Sequence, residues 1–518
     1  MAFSRVLVAN RGEIALRIIR ACQEEGLEAV AVYSDADRLS PHVRAANDAV
    51  PIGAAPSPDS YLNIQKLLEA AVKTGCGAVH PGYGFLSERA AFATGVVDAG
   101  LVFVGPPASA IQAMGDKTQA RRRMQQAGVP VVPGLTRNLH DTADAEREAK
   151  VLGYPVLVKA AAGGGGKGMR VVRSGEEMRG AFQAAQSEAR KAFGDGNLYL
   201  ERFVERPRHV EIQVLADGHG RVVALGEREC SIQRRHQKLI EEAPSVVVTP
   251  GLRRRMGEAA TAAASVVGYV GAGTVEFLLT PDGEFYFLEM NTRIQVEHPV
   301  TELVYGVDLV REQLRIAGGQ PMRVASGLLQ PRGHAMECRI TAEDPFNGFL
   351  PATGVVQYLR VPGGPGVRWD GGIEPGNEVT LYYDPLLAKL IVWGENREVA
   401  IQRMRRALRE LVIVGVPTSQ VFHLRVLDDP EFRRGEIDIT YLERAASRLL
   451  TEPVSAALVE PIAIVAALLA EERRTGPTQL RAPGEGPDAP AAAPAGETSW
   501  VRAARQEGLR SQEGPRDG

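Results

Sequence analysis

The chain has 518 residues, enough for about three domains of ordinary size. Its net charge of −3 leaves no electrostatic footprint for nucleic acid or an anionic membrane. Hydrophobic residues at 44% and charged residues at 24% are ordinary for a soluble globular enzyme. Cys22, Cys76, Cys230 and Cys338 lie far apart with no CxxC pair, which argues against a disulfide framework or a structural zinc and fits a reducing, cytoplasmic setting. The first apolar run is a short strand and not a secretory signal. The apolar stretch 462–470 is too short to span a bilayer.

From residue 5 to 115 strand and helix patterns alternate. Strands are expected at 5–9, 28–32, 78–80 and 101–104, with a helix at 13–25, which together read as an α/β layer on a parallel sheet. Residues 116–330 change character. They carry hairpins, a glycine run and charged residues inside apolar strands. Residues 331–446 hold short strands and then a helix at 399–410. A helix at 454–474 is interrupted at Pro461. From 476 a Pro/Ala/Gly-rich linker leads to a short helical end at 499–509.

The segment 271–297 is the most informative. Residues 275–279 and 284–290 are β-branched and aromatic runs around Asp282-Gly283, a hairpin turn signal. A two-residue loop makes paired positions sum to 565, which sets Glu276 opposite Glu289, with Asn291 on the same face. Leu278, Phe285 and Phe287 fall on that face too and argue for its burial. Facing carboxylates repel, and a hard cation such as Mg²⁺ between them relieves the repulsion.

Four glycines, Gly163, Gly164, Gly165 and Gly166, sit between strands at 154–160 and 169–172. Backbone N–H groups of such a tip can wrap a phosphate. It is not a Walker A loop, because Gly168 follows Lys167 where Ser or Thr is required. Lys159 ends an apolar strand and is either snorkelling or aimed at a buried anion. His209, Glu211 and Gln213 alternate on one face of a strand at 210–213, commonly just the wet face of a sheet. Gln233, His236 and Lys238 lie in 229–242, whose default reading is a solvated charge run. Gln295 and Glu297 stand one pleat apart beside Arg293, and Glu297 could be tuned there as a general base.

Nine segments, taken together, resemble biotin carboxylase, the ATP-grasp component of biotin-dependent carboxylases. They are ANRGEIALRIIRAC (9–22), HPGYGFLSE (80–88), GDKTQAR (115–121), KAAAGGGGKGMR (159–170), RHVEIQV (208–214), ERECSIQRRHQKLIEEAP (227–244), EMNTRIQVEHPVTE (289–302), HAMECRITAEDP (334–345) and YYDPLLAKLIVWG (382–394). The resemblance spans about residues 3–446. It implies a pre-ATP-grasp α/β domain (1–115), an ATP-grasp domain (116–330, lid about 133–203) and a C-terminal biotin carboxylase domain (331–446). A helical extension (447–475) and a linker with a short tail helix (476–518) follow.

The resemblance also implies a chemistry. ATP with Mg²⁺ or Mn²⁺ phosphorylates bicarbonate to carboxyphosphate, which releases CO₂ to biotin. Glu276, Glu289 and Asn291 would hold the metal. Lys117, Lys159, His209, Gln233 and His236 would hold the nucleotide, Glu201 and Val204 would meet adenine, and Gly163–Gly166 would close over the phosphates. Lys238, Arg293, Gln295 and Val296 would bind bicarbonate, Glu297 would deprotonate it, and Arg339 would stabilise the biotin enolate. The chain has no Ala/Val-Met-Lys-Met motif, so biotin is expected in trans on a biotin carboxyl carrier protein, with a separate carboxyltransferase. The family suggests a homodimer. Acetyl-CoA carboxylase is the main expectation, and the same subunit of a propionyl-CoA or pyruvate carboxylase is the near alternative. Another ATP-grasp ligase and a silent scaffold are the remote ones.

Overall fold

In a computed structural model the described residues are 2–161, 168–325 and 330–451, together with positions 464, 467 and 468. The glycine tip at 163–166, all but those three positions of the helix expected at 454–474, and the linker and tail from 476 lie outside them. Met1–Thr451 is one compact unit. Among the described residues no helix is long and apolar enough to cross a membrane, and all four cysteines are free and buried.

The N-terminal part is the expected α/β layer. Its sheet runs Asp48–Gly53, Glu28–Ser34, Arg5–Val8, Ala78–His80 and Val102–Phe103, every pair parallel. Helix Gly12–Glu24 buries Ile14, Ile18, Ile19 and Cys22 against it, a spacing that keeps one helical face apolar. The strand Asp48–Gly53 has no apolar alternation to announce it. It lies at the sheet edge, where the missing N–H of Pro51 is tolerated.

Between 133 and 203 a three-stranded antiparallel sheet, Arg170–Val172, Val156–Ala160 and Leu198–Arg202, packs with helices Thr142–Leu152 and Gly175–Phe193. This piece has a core of its own, built from Val156, Val158, Val172, Met178, Phe182 and Leu200. The strand pair that carries the glycine run is thus present, and Ala160 N–H closes it onto Gly168 O at 3.0 Å.

The largest sheet has eight strands in the order Phe285–Asn291, Gly271–Leu279, Arg208–Ala216, Val222–Arg234, Gln237–Ala243, His334–Thr341, Leu386–Gly394 and Val367–Gly371. Every neighbouring pair is antiparallel. It runs through position 330 without a break, so strands from both sides of that position share one sheet.

Two bulges set which side chains reach the site. In the carboxylate hairpin Glu276 pairs with Glu289, as the 565 register requires, but Leu279 pairs with Phe285, one residue off. The loop has three residues, 281–283, and not two. Its turn is closed by Gly283 N–H to Thr280 O at 3.0 Å, with Gly283 at φ +86. An unpaired Leu288 restores the register beside the carboxylates. The bulge also turns Phe285 and Phe287 over. They do not share the carboxylate face but pack with Phe277 in the opposite core.

The second bulge lies between Ala224 and Glu227 and brings Arg228 opposite Glu211. Gly226 makes it, at φ +89, and a Cβ there would run into the Tyr305 ring and its hydroxyl. A Gly226→Val variant forces a β-branched residue into left-handed backbone and into that ring. We expect a loss of about 3 kcal/mol, read as a lowered thermal midpoint, because strained backbone and overpacking each cost about 1–3 kcal/mol.

Candidate active site

The carboxylate face of the sheet carries a row across four strands. Arg228, Glu211, Glu276 and Glu289 are successive cross-strand partners. Like charges side by side need cations, and the chain supplies them from three directions. Lys238 Nζ donates to Glu211 Oε2 at 2.5 Å, Glu276 Oε1 at 2.9 Å and Glu297 Oε1 at 2.6 Å. His209 Nε2 lies 3.2 Å from Glu276 Oε2. Arg228, fully buried, gives its N–H groups to Glu211, Gln213, Thr301, Thr274 and Gln295 at 2.5–3.0 Å, which uses all five donors of a guanidinium.

These partners decide the charge states. Burial opposes ionisation of Glu276, but Lys238 and His209 outweigh it and hold the carboxyl well below its ordinary range. Burial likewise opposes ionisation of Glu211 and is outweighed by Lys238 and Arg228. His209 loses charge preference on burial, yet Glu276 pushes the imidazole up to about 9. Glu297 is lowered despite its burial, by Lys238 and Arg339.

The row faces a cavity of about 330 Å³ lined by Lys117, Lys159, His209, Gln233, His236, Lys238, Glu276, Glu289, Asn291, Arg293, Gln295, Val296, Glu297 and Arg339. An adjoining cavity of about 320 Å³ shares Lys117, Glu289, Asn291 and Arg293 and adds Arg121, Tyr199 and Glu201. Among the described residues, the fold gathers the candidates from 117 to 339 around one space. Val204 is the exception. It lies past the strand Leu198–Arg202, half-buried, and lines neither cavity.

Each side chain is held. Lys159 Nζ donates to Glu201 Oε2 at 2.9 Å, and Arg121 takes the other oxygen at 2.5 Å. Lys117 Nζ lies 3.3 Å from Glu289 Oε2. The Gln233 amide meets His209 Nδ1 at 2.8 Å. Arg293 donates to Glu88 Oε2 and to Asn291 Oδ1, each at 3.0 Å. Arg339 NH2 reaches Glu297 Oε2 at 3.0 Å. Lys389, fully buried, donates to the Val296 carbonyl at 2.9 Å. His236 stands on a two-residue hairpin tip with Arg235, both in left-handed backbone (φ +65 and +49), a strain of about 1–2 kcal/mol per residue that aims the tip at the cavity mouth.

Two readings that the sequence leaves open are decided here by burial. His209, Glu211 and Gln213 are not a wet face; all three are buried. The segment 229–242 is not a solvated run but a hairpin whose Glu229, Ile232, Glu241 and Glu242 are buried. The residues missed were Arg228, Glu88, Arg121 and Lys389, and Glu211 was noticed but given no role. Lys389 had a readable signal, a lysine inside the apolar run LLAKLIVWG, the same signal that marked Lys159.

Among the described residues two sets of metal-capable atoms lie close together, His209 with Glu211 and Glu276, and Glu211 with Cys230 and Glu297. A histidine held protonated cannot ligate, and a hard divalent ion takes oxygens. Glu276 and Glu289, with Glu289 partly open to the cavity, fit such an ion better, and the Asn291 oxygen joins them if Arg293 yields it.

A cleft on an antiparallel sheet, lined by lysines and facing carboxylates, fits an ATP-grasp ligase. Three family models match: "Biotin carboxylase, N-terminal domain" over 2–111, "Carbamoyl-phosphate synthase L chain, ATP binding domain" over 116–325, and "Biotin carboxylase C-terminal domain" over 337–444. The chain belongs to the biotin carboxylase family. It is 53% identical over 443 residues to biotin carboxylase of Nostoc sp., covering 86% of this chain and 99% of that one. It is 52% identical over 441 residues to a pyruvate carboxylase subunit of Methanothermobacter thermautotrophicus, covering 85% and 90%. Among solved structures it matches the biotin carboxylase domain dimer of Hydrogenobacter thermophilus 2-oxoglutarate carboxylase, in complex with MgADP, ADP and bicarbonate. The TM-score there is 0.83 at 46% identity, covering 87% of this chain and all of that one. A Campylobacter jejuni biotin carboxylase complexed with β,γ-ATP gives a TM-score of 0.83 at 44% identity, covering 85% and 99%.

Proposed function

We propose that this enzyme carboxylates biotin on a carrier protein, using MgATP and bicarbonate through carboxyphosphate, as the biotin carboxylase subunit of an acetyl-CoA carboxylase. One observation carries the chemistry. Glu297 is clasped between Lys238 and Arg339, at the cavity wall that also holds Glu276 and Glu289. A small oxyanion entering there meets Lys238, Arg293, Gln295 and the Val296 backbone, with a carboxylate at hand to take its proton. Lys117, Lys159, His209, Gln233 and His236 bind the nucleotide, with Glu201 toward adenine. Glu276 and Glu289, with Asn291, would hold Mg²⁺, which would supply charge neutralisation for the phosphates. Arg339 faces the biotin ring and stabilises its enolate.

Support for the acyl acceptor is mixed. Of two relatives with similar identity, one is named biotin carboxylase and the other belongs by name to a pyruvate carboxylase, so a pyruvate carboxylase is the second reading. A homodimer is part of the proposal, after the dimer named for the Hydrogenobacter domain, as are a separate carboxyltransferase and a cytoplasmic setting.

The test is ADP release with bicarbonate and Mg²⁺, with and without free biotin or carrier protein. Biotin-stimulated release with labelled carboxylate trapped on biotin is the expected result, abolished by chelation of the metal. No stimulation by either biotin form would overturn the reading.

A further inference from the structure

Behind Arg339 lies a pair of acids that the chemistry above does not use. Glu241 on the strand Gln237–Ala243 and Glu337 on the strand His334–Thr341 are direct cross-strand partners. Both are 0% exposed. Side chains so placed start from Cβ atoms about 4.5–5.5 Å apart, within reach of each other. Glu241 Oε1 accepts from Arg339 Nε at 2.6 Å. Its Oε2 and both oxygens of Glu337 have no hydrogen-bond partner among the described residues.

Two ionised carboxylates cannot sit here. Their charges repel, and a buried carboxylate without a donor bears its whole desolvation cost. One proton relieves the repulsion, and a Glu337 O–H has the unused Glu241 Oε2 as an acceptor within cross-strand reach. The other charged groups around the pair are engaged elsewhere. Lys389, opposite Arg339 on the next strand, is bound to Glu13 at 3.1 Å and to the Val296 carbonyl. Lys238, on Glu241's own strand, holds Glu211, Glu276 and Glu297. Cys230 on the strand Val222–Arg234 and His298 at the head of the helix His298–Tyr305 are both kept neutral by burial. Burial drives Glu337 well above the carboxylate range, and lifts Glu241 to about 7 against the pull of Arg339.

We propose that Glu241 and Glu337 form a carboxyl pair that shares a proton and acts, through Arg339, as the positioning device for the biotin-facing guanidinium. The proposal rests on the role given to Arg339 above. With Glu337 protonated and Glu241 ionised, Arg339 is anchored from behind with Nε and NH2 both on Glu241 Oε1, while NH2 also reaches Glu297. When Glu241 takes up a further proton, Arg339 loses its rear anchor and is left with Glu297 alone. No bond other than O–H forms or breaks. Biotin carboxylation therefore rises as Glu241 ionises, through neutral pH.

The experiment uses the full chain and two variants, Glu337→Gln and Glu241→Gln. Infrared difference spectroscopy of wild type against Glu337→Gln reads the protonated-carboxyl stretch at pH 8, where a band present only in wild type is expected. The pH profile of biotin-dependent carboxylation is the second readout. In Glu241→Gln we expect the ionisation near neutrality to vanish and the rate to fall about tenfold or more, the scale on which outer supporting partners act. Glu337→Gln, a permanent neutral donor, keeps the wild-type rate at neutral pH. An unchanged infrared spectrum, or a Glu241→Gln profile that superimposes on wild type, would overturn the proposal. If Glu241→Gln does not fold, the Glu337→Gln spectrum and profile decide alone. If wild type shows no biotin-dependent turnover, the functional reading fails, while the infrared band still decides whether the pair holds a proton.

Discussion

Glu297→Gln is expected to keep the fold and nucleotide binding but lose about 10²–10⁴ of bicarbonate-dependent turnover, the contribution of a positioned general base. The carboxylate is 2% exposed and bonded through one oxygen to Lys238 and through the other to Arg339. A neutral amide must turn its NH₂ toward one of these cations, so it loses the base and misplaces the cation together. Lys238 and Arg339 hold Glu297 below its ordinary range. An oxyanion that competes for those cations raises it, toward the value at which a base works best. Its resting ionisation therefore falls below the ordinary carboxylate range, and an acid limb near neutrality in kcat/KM belongs to another group. Steady-state ADP release against bicarbonate, with nucleotide affinity by calorimetry, checks this. Undiminished turnover would take the base role from Glu297.

What the sequence made legible was local and periodic. The facing of Glu276 and Glu289 was correct, yet for a reason only partly visible. A two-residue loop was assumed, the chain uses three, and the bulge at Leu288 restores the pairing. Loop length and bulge cancel at the carboxylates and do not cancel at Phe285 and Phe287, which is why those two were placed on the wrong face. Turn chemistry can suggest a hairpin, but one extra residue flips every side chain beyond it. Arg228 stayed hidden for a different reason. In ERECSIQRR it is one charge among several, and only the neighbouring strands reveal that it is fully enclosed. Glu241 and Glu337 are about a hundred residues apart in sequence, so no local pattern could bring them together.

Arg228→Met should be the most destabilising single change in the active-site layer. Methionine fills similar volume but leaves Glu211 with Lys238 and the more distant His209 as its cations, and strips donors from Gln213, Thr274, Gln295 and Thr301. Removing one partner of a buried ion pair costs about 3–5 kcal/mol, because the remaining charge is left uncompensated. Denaturant or thermal unfolding measures it. Activity falls as well. The Gln295 amide is fixed from both ends, its oxygen by Arg228 and its nitrogen by Glu276 at 2.9 Å, and the variant frees one of them. The double variant with Glu211→Gln removes the stranded carboxylate and should recover part of the loss, with a coupling of about 0.5–3 kcal/mol. Acid gives an independent sign. Glu211 is held well below its ordinary 4.5, so its contribution is present above that pH and is lost as pH falls through the lowered value. Without Arg228 the carboxyl is held less far down, less is lost, and stability declines less steeply on acidification than in wild type. A variant as stable as wild type, with the same acid slope, would mean that Lys238 and His209 compensate Glu211 without Arg228.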